Sequence, residues 1–450
     1  MPWHVPILRH GEVYRSLQTA PVPDVRGRGD VGEVSLANAG LFRRDLRRLP
    51  AAREALRAMG VVERMAATVR AAELFLTAEL PCGDDLMGPQ AYVEACSAST
   101  GLPQALVRQN MDKIAHVCRE IATVLGGLTR GLDLRVLDAG VGVQDGRALS
   151  YVPTAAALAA VLPSNSPGVH SLWIPALALQ TPVVLKPGSG DPWTPLRLVQ
   201  ALIAGGLPAE AFGFYPAERQ VGAELVELHD RALVFGGPDL ARRYAGRPDV
   251  QVHGPGFAKV LLGDDTVDAW AEHLDLLATS VARNGGRSCI NASTIVVPRH
   301  ADALADALAV RLAAIEPRPL DHPDAGLAAF ADAPVAAAID ARLDDLLAGA
   351  RQVGPVGPRR VVVDGLTYLR PTVVRCGPDH PLAKTEHGFP FVSVVEVPSE
   401  RVVDWLGPTL VLTAITADPA LRRALLVADH VDRLHLGAVP TTSIGWDQPH

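Results

Sequence analysis

From about residue 157 onward, this chain alternates short apolar runs with segments of helical period. That rhythm restricts the fold more than any other feature. Val183-Val184-Leu185, Phe212-Gly213-Phe214-Tyr215 and Ala232-Leu233-Val234-Phe235 read as strands. A helix from Thr194 to Ala204 follows the first of them, with Asp191 or Thr194 as its N-cap. Another opens at Pro238, a residue suited to a first helical turn. Apolar strands alternating with helices imply a parallel sheet covered on both faces. Further helices are predicted over 266–283, 301–316 and 335–349, the second with Leu304, Leu308 and Leu312 on one face. Strands are predicted near 360–364, 391–397 and 433–437. With 450 residues there is room for two or three domains with their own cores.

The N-terminal third is read differently. Residues 1–45 mix Pro, Gly and Arg and are expected to be irregular or a short strand region. Leu56, Met59, Val62, Met65, Val69 and Leu74 recur at helical intervals and predict a helix over 51–80. Another long helix is expected over 101–126. Arg135-Val136-Leu137 and Ala148-Leu149-Ser150-Tyr151-Val152 flank Gly- and Asp-rich turn residues and predict a hairpin.

Composition excludes several functions. A net charge of −7 offers no broad basic field for nucleic acid. No apolar run reaches the roughly 18 residues of a membrane span, and Met1-Pro2-Trp3-His4-Val5 does not begin a signal sequence. The five cysteines are irregularly spaced, with no CxxC or Cys/His cluster, so no metal site is expected. Reduced thiols and a cytoplasmic location fit this pattern. Lysine occurs only at 113, 186, 259 and 384, and an ammonium is a compact donor that a guanidinium does not replace.

One cysteine stands out. Cys289 lies in Asn284-Gly285-Gly286-Arg287-Ser288-Cys289-Ile290-Asn291-Ala292-Ser293, followed by the apolar run Thr294-Ile295-Val296-Val297. Two glycines on an extended loop at a strand end would present a thiol, and allow a substrate or cofactor close to the backbone. A thiolate in an electropositive setting is a nucleophile. A buried structural thiol is the alternative.

Around it stands an ordered series of motifs. Upstream are Leu162-Pro163-Ser164-Asn165-Ser166-Pro167, Ile174-Pro175-Ala176-Leu177-Ala178-Leu179, Thr181-Pro182-Val183-Val184-Leu185-Lys186-Pro187, Ala204-Gly205-Gly206-Leu207-Pro208 and Leu233-Val234-Phe235-Gly236-Gly237. Downstream are Arg370-Pro371-Thr372-Val373 and Glu386-His387-Gly388-Phe389-Pro390. Their order and the interval from Cys289 to Glu386 resemble the aldehyde dehydrogenase superfamily, well over about 150–400 and poorly before. The resemblance implies an α/β fold with a Rossmann-like cofactor domain over 1–260 (with 416–450), a catalytic cysteine domain over 261–415, and oligomerisation elements at about 132–155 and in the C-terminal strand. A homo-oligomer, dimer or tetramer, is then expected, because isolated ribbons are marginal alone.

The resemblance also implies roles. Cys289 is the nucleophile, and the Asn165 amide joins the Cys289 N–H in the oxyanion hole; as sequence alone, Ser-Asn-Ser-Pro is also good turn chemistry. Lys186 would meet the adenosine ribose of the dinucleotide. Ser189 stands where NAD-preferring members often carry an acid, so NADP is permitted beside NAD. Gly236 and Gly237 precede a helix start that favours phosphate, or form an ordinary turn. Glu386 would bind the nicotinamide ribose, or is a surface acid. Phe389 would lie near the nicotinamide, although Gly and Phe are transposed from the usual pattern.

Hydrolytic members carry a Glu-Leu-Gly-Gly-Lys segment whose glutamate activates water. Here the stretch is Val252-His253-Gly254-Pro255-Gly256-Phe257-Ala258-Lys259, with His253 at or near that glutamate. A general base contributes about 10²–10⁴-fold. Its loss, and Phe389-Pro390-Phe391-Val392, resemble the acyl-CoA reductase branch. The expected reaction is therefore reduction of an acyl-CoA to an aldehyde by NAD(P)H, with coenzyme A as co-substrate. The alternatives are a hydrolytic aldehyde dehydrogenase, with His253 or another base, and a non-catalytic or acyl-phosphate-using relative. His253 is read as a base or as a structural histidine.

Overall fold

The computed structural model describes residues 2–354 and 357–445; the terminal segment 446–450 lies outside the described residues. The chain forms two compact units, Met1–Thr100 with Val107–Gly254, and Gly101–Leu106 with Pro255–His450.

The first unit is built on a seven-stranded sheet in the order Val250–His253, Ala232–Phe235, Leu158–Val161, Val183–Lys186, Phe212–Phe214, Ile7–Arg9, Glu12–Tyr14. The first five strands are parallel, and the last two pairings, Phe212–Phe214 with Ile7–Arg9 and Ile7–Arg9 with Glu12–Tyr14, are antiparallel. In chain order the five parallel strands are arranged 3-2-1-4-5, which is dinucleotide-fold topology. The order reverses between Leu158–Val161 and Ala232–Phe235, and a crevice for a ligand opens at such a switch point. The N-cap of the helix Trp193–Ala204 is Pro192, not Asp191 or Thr194, although the Asp191 carboxylate accepts from the Thr194 N–H of its first turn at 3.0 Å.

Residues 1–45 are more regular than their composition suggests. Trp3–Val5, Asp30–Ser35 and Thr19–Pro23 form a separate three-stranded sheet. Pro21 and Pro23 lie on its edge strand, where a missing N–H costs little, and Val5 and Val22 are fully buried.

Over 51–80 the chain forms two helices, Leu49–Arg57 and Val61–Thr77, and the second buries a different face from the one expected. Val62 is 63% exposed, whereas Ala67, Ala71 and Phe75 are fully buried. Small side chains permit close approach here: a Cβ on Gly205 would lie 2.6 Å from the Ala67 carbonyl oxygen. Arg64 is buried on this face, donating to the carbonyls of Ala178, Leu56 and Met59 and to Asp138.

The hairpin Val141–Gln144 with Arg147–Ser150 turns at Asp145 and Gly146, both with positive φ, as a two-residue turn requires. Val136 and Leu137 belong to a short helix, Val136–Ala139, ended by left-handed Gly140, and not to a strand.

The second unit carries another seven-stranded sheet: Arg351–Val353, Thr372–Cys376, Phe391–Glu396, Ala292–Val297, Ala258–Leu262, Thr409–Ile415, Val431–Leu436. All neighbours are parallel except the first pair. One face buries Leu277, Leu304, Leu308 and Leu312, and the other Ala336, Leu343, Val402 and Leu425. The tail differs from the expectation that grouped 416–450 with the first region. Val431–Leu436 pairs with Thr409–Ile415, placing Leu434 beside Leu412. Ala258–Leu262 also belongs to this sheet, because both its neighbours are second-unit strands.

Candidate active site

In the second unit, Cys289 lies in a tight turn between the helix Leu274–Ala282 and the strand Ala292–Val297, not on an extended loop. Asn284, Gly285 and Gly286 are successively left-handed, with φ of 56, 64 and 70°. The two glycines serve chain packing. A Cβ on Gly286 would lie 2.4 Å from Phe389 C and Pro390 N, and one on Gly285 3.0 Å from Ala328 N. Side chains brace the turn. The Asn291 amide donates to the Ser280 and Arg283 carbonyls at 3.1 and 3.0 Å and accepts from the Ser288 N–H at 2.9 Å. The Asn284 amide donates to Ser288 Oγ at 3.0 Å. Cys289 is partly exposed, while Cys82, Cys96, Cys118 and Cys376 are buried. Arg433, buried on Val431–Leu436, is close enough to interact electrostatically with Cys289.

Glu386 belongs to the same unit. Its Oε2 accepts from the N–H groups of Gly256 and Phe257 at 2.9 and 2.7 Å. Phe257 is itself left-handed, with φ of 45°, and two successive N–H groups on such a bend form an anion cradle. Gly256 also meets Cys289, since a Cβ there would lie 1.9 Å from the Cys289 carbonyl oxygen. Burial pushes the Glu386 carboxyl up to about 7, against the two N–H groups and the Lys259 charge. Lys259 is 1% exposed and is pushed down to about 7 by burial and by Lys384. Its ammonium donates to Phe257 O, Thr409 Oγ1 and Pro408 O at 2.7, 2.9 and 3.4 Å. Phe389, expected near a nicotinamide, is 2% exposed and packs with Leu382, Ala383 and Phe391 in the core. With its face so filled, it is a packing residue in this structure.

In the first unit, Asn165 is exposed on the loop after Leu158–Val161. That loop is tied down by neighbours: Ser164 Oγ accepts from the Gly190 N–H at 3.0 Å and Asn110 Oδ1 from the Gly168 N–H at 2.9 Å. Lys186 ends its strand 9% exposed, and burial followed by the Arg219 charge lowers its pKa. Ser189, Gly236 and Gly237 are exposed, and the two glycines lead into a helix of only 6 residues, Pro238–Arg243. Asn165, Lys186, Ser189 and the glycine pair therefore gather at the C-terminal ends of three adjacent parallel strands. His253 ends Val250–His253 and stacks on Phe235, with ring centroids 4.7 Å apart and planes at 15°. Burial pushes it down to about 4, so the ring is neutral near pH 7.

Residues 44–405 match the model of the aldehyde dehydrogenase family. The chain belongs to that family. Its similarity to curated relatives is partial. It is 29% identical over 218 residues to N-succinylglutamate 5-semialdehyde dehydrogenase 2 of Caulobacter vibrioides, 45% of this chain and 44% of that one. It is 30% identical over 161 residues to geranial dehydrogenase of Castellaniella defragrans, 33% of each chain. The chain thus spans less than half the length of these relatives. The fold matches over nearly the whole chain. An indole-3-acetaldehyde dehydrogenase of P. syringae, in complex with NAD+ and IAA, superposes with a TM-score of 0.81 at 19% identity, covering 100% of this chain and 93% of that one. The aldehyde dehydrogenase KauB of Pseudomonas aeruginosa gives 0.80 at 20% identity over 99% and 90%. The relatives named here are aldehyde dehydrogenases, which gives no support to the acyl-CoA reductase branch expected from the sequence.

Two residues of this family member receive no role in the sequence reading. Lys259 closes the stretch compared with Glu-Leu-Gly-Gly-Lys and is one of four lysines, but neither signal assigns it a task. Arg433 carried no signal, because its place beside the thiol depends on a strand pairing far along the chain. Among the described residues, no group of His, Cys, Asp and Glu could hold a metal, and no helix is long and apolar enough to cross a membrane.

Proposed function

We propose that this chain oxidises a small-molecule aldehyde through a covalent thioester on Cys289. The observation that carries the reading is the braced turn, which keeps one thiol accessible beside Arg433 while the other four are buried. The neighbouring guanidinium favours the thiolate. The Cys289 sulfur attacks the aldehyde carbon, and the Asn165 amide and the Cys289 N–H donate to the resulting alkoxide. A bound NAD(P)+ supplies the hydride acceptor. The first unit suits a dinucleotide, having the 3-2-1-4-5 sheet order, exposed Gly236 and Gly237, and Lys186 held at a strand end. In this reading the Lys186 ammonium and Ser189 meet the adenosine ribose, Ser189 leaves room for a 2′-phosphate, and Glu386 binds the nicotinamide ribose. Water then cleaves the thioester and releases the carboxylic acid and the Cys289 thiol.

One observation favours a second reading, transfer of the acyl group to coenzyme A and its reversal as acyl-CoA reduction. His253, held near 4 by burial, is a weak base where hydrolytic members carry a carboxylate. A product assay separates the two. Aldehyde and NAD(P)+ are incubated with and without coenzyme A, and carboxylate and acyl-CoA are quantified. Mostly carboxylate supports the first reading. Mostly acyl-CoA, with little NAD(P)H formed in its absence, supports the second.

The assembly reading is a homo-oligomer joined through the hairpin arm. Val141, Val143 and Val152 are 62, 77 and 77% exposed there, and a second copy would cover them. Light scattering at micromolar concentration should give at least a dimer, and a monomer refutes this reading.

A further inference from the structure

His253 leaves the water-activating step without an evident carboxylate, yet Glu386 accepts from the N–H of Gly256, the residue packed against the Cys289 carbonyl. We propose that Glu386, cradled by Gly256 and Phe257 and backed by Lys259, is the base that delivers water to the Cys289 thioester. The proposal rests on the aldehyde-oxidising reading and supplies its missing step.

The geometry converges on Gly256. Its N–H donates to Glu386, and its Cα face is packed against the Cys289 carbonyl with no room for a side chain. Glu386 and the thiol turn therefore meet at one residue. Oε2 is occupied by the two N–H groups, which fixes the carboxylate without neutralising it. Lys259 acts as a positioning residue, because its ammonium holds the carbonyl of Phe257, whose N–H holds Glu386. Phe257 keeps a left-handed backbone for this, a conformation uncommon for a side chain of that size.

The step balances simply. Water oxygen attacks the thioester carbon while one of its protons passes to the Glu386 carboxylate. The C–S bond breaks, and the Cys289 thiolate leaves with the bonding pair. A carboxyl near 7 suits this task, since it is largely ionised just above neutrality and still holds a proton well enough to take one from water. The charged groups acting on the pair are Lys259 and Lys384 on the amine side and Glu386 itself, and Arg433 acts on Cys289.

The test needs no dinucleotide. p-Nitrophenyl acetate acylates an accessible cysteine and releases p-nitrophenolate, and slower turnover then reports hydrolysis of the acetyl-enzyme. Wild type should give a burst and a steady rate that rises with pH through about 7. Glu386→Gln, which keeps the acceptor for both N–H groups, should retain the burst and lose about 100-fold in the steady rate. Intact-mass measurement should show acetyl-enzyme accumulating, and hydroxylamine, a stronger nucleophile, should restore its breakdown. A residue serving only the cofactor ribose would leave this assay unchanged, so an unaltered steady rate in Glu386→Gln overturns the proposal. A larger loss in His253→Gln overturns it too. If Glu386→Gln fails to fold, Lys259→Met decides: the pH midpoint of deacylation should shift upward, and an unshifted midpoint refutes the coupling. Cys289→Ala should show no burst. A burst retained there overturns Cys289 as nucleophile, and the proposal with it.

Discussion

The two sheets end in loops of opposite character. In the first unit, Asn165, Ser189, Gly236 and Gly237 stand exposed at strand ends, shaped by glycine and small residues. In the second, the turn from Arg283 to Asn291 is held by its own side chains. Loops proposed to receive a ligand are exposed and tied to neighbouring segments, while the turn proposed to form a bond is braced by side chains of its own. Covalent chemistry needs its atoms positioned to within about 0.5 Å, whereas a cofactor is gripped at many points.

The sharpest test removes the thiol. Cys289→Ala should lower kcat by about 10³-fold or more while leaving dinucleotide affinity unchanged in a fluorescence titration. Activity above a few per cent of wild type would mean that the braced turn serves packing alone. Two asparagines then test the comparison. Asn165→Ala, on the exposed loop, should cost about 10²-fold in kcat. Asn291→Ala, in the braced turn, removes three hydrogen bonds and should lose about 2–3 kcal/mol in chemical denaturation as well as activity. An Asn291→Ala variant as stable as wild type would mean that these bonds do not hold the turn.

A smaller effect concerns the cofactor. With Ser189 beside the Lys186 strand end, NADP(H) should be preferred, and Ser189→Glu should shift kcat/KM toward NAD(H) by about tenfold, through repulsion of the 2′-phosphate. A tenfold advantage for NAD(H) in the wild type would refute that reading.

What was legible in the sequence follows from the range of the forces. Apolar strands and helix faces are local, so Val183–Lys186 and the buried Leu304, Leu308 and Leu312 face could be read directly. The face of Val61–Thr77 could not, because alanines and a buried arginine carry it. Motif order placed Cys289, Asn165 and Glu386 on the chain. It could not disclose that glycines 285 and 286 make room for other backbone, that Phe389 turns into the core, or that Gly256 joins Glu386 to the thiol turn. Those facts depend on contacts between distant segments.

The smallest expected effect is on acid stability, and it probes each unit through one histidine. His253 in the first unit and His387 in the second are both pushed down to about 4 by burial. An unfolded histidine titrates near 6.5. Between about 6.5 and about 4 the unfolded chain therefore takes up a proton that the native ring refuses, and stability falls as pH falls through that window. Above 6.5 neither state is protonated and the contribution is constant. Glu386 acts in the opposite sense. Its carboxyl is raised to about 7, so the native state binds a proton from about 7 down to about 4.5 and gains stability there. The wild-type curve mixes these signs, and each variant must be read against it. His253→Phe preserves the stack on Phe235 and should reduce the loss between pH 7 and pH 5 by about 1–2 kcal/mol, as His387→Phe should for the second unit. Urea denaturation at the two pH values measures this. An identical acid loss in wild type and His253→Phe would mean that the His253 ring takes up its proton in the native state, and would return it to candidacy as a base.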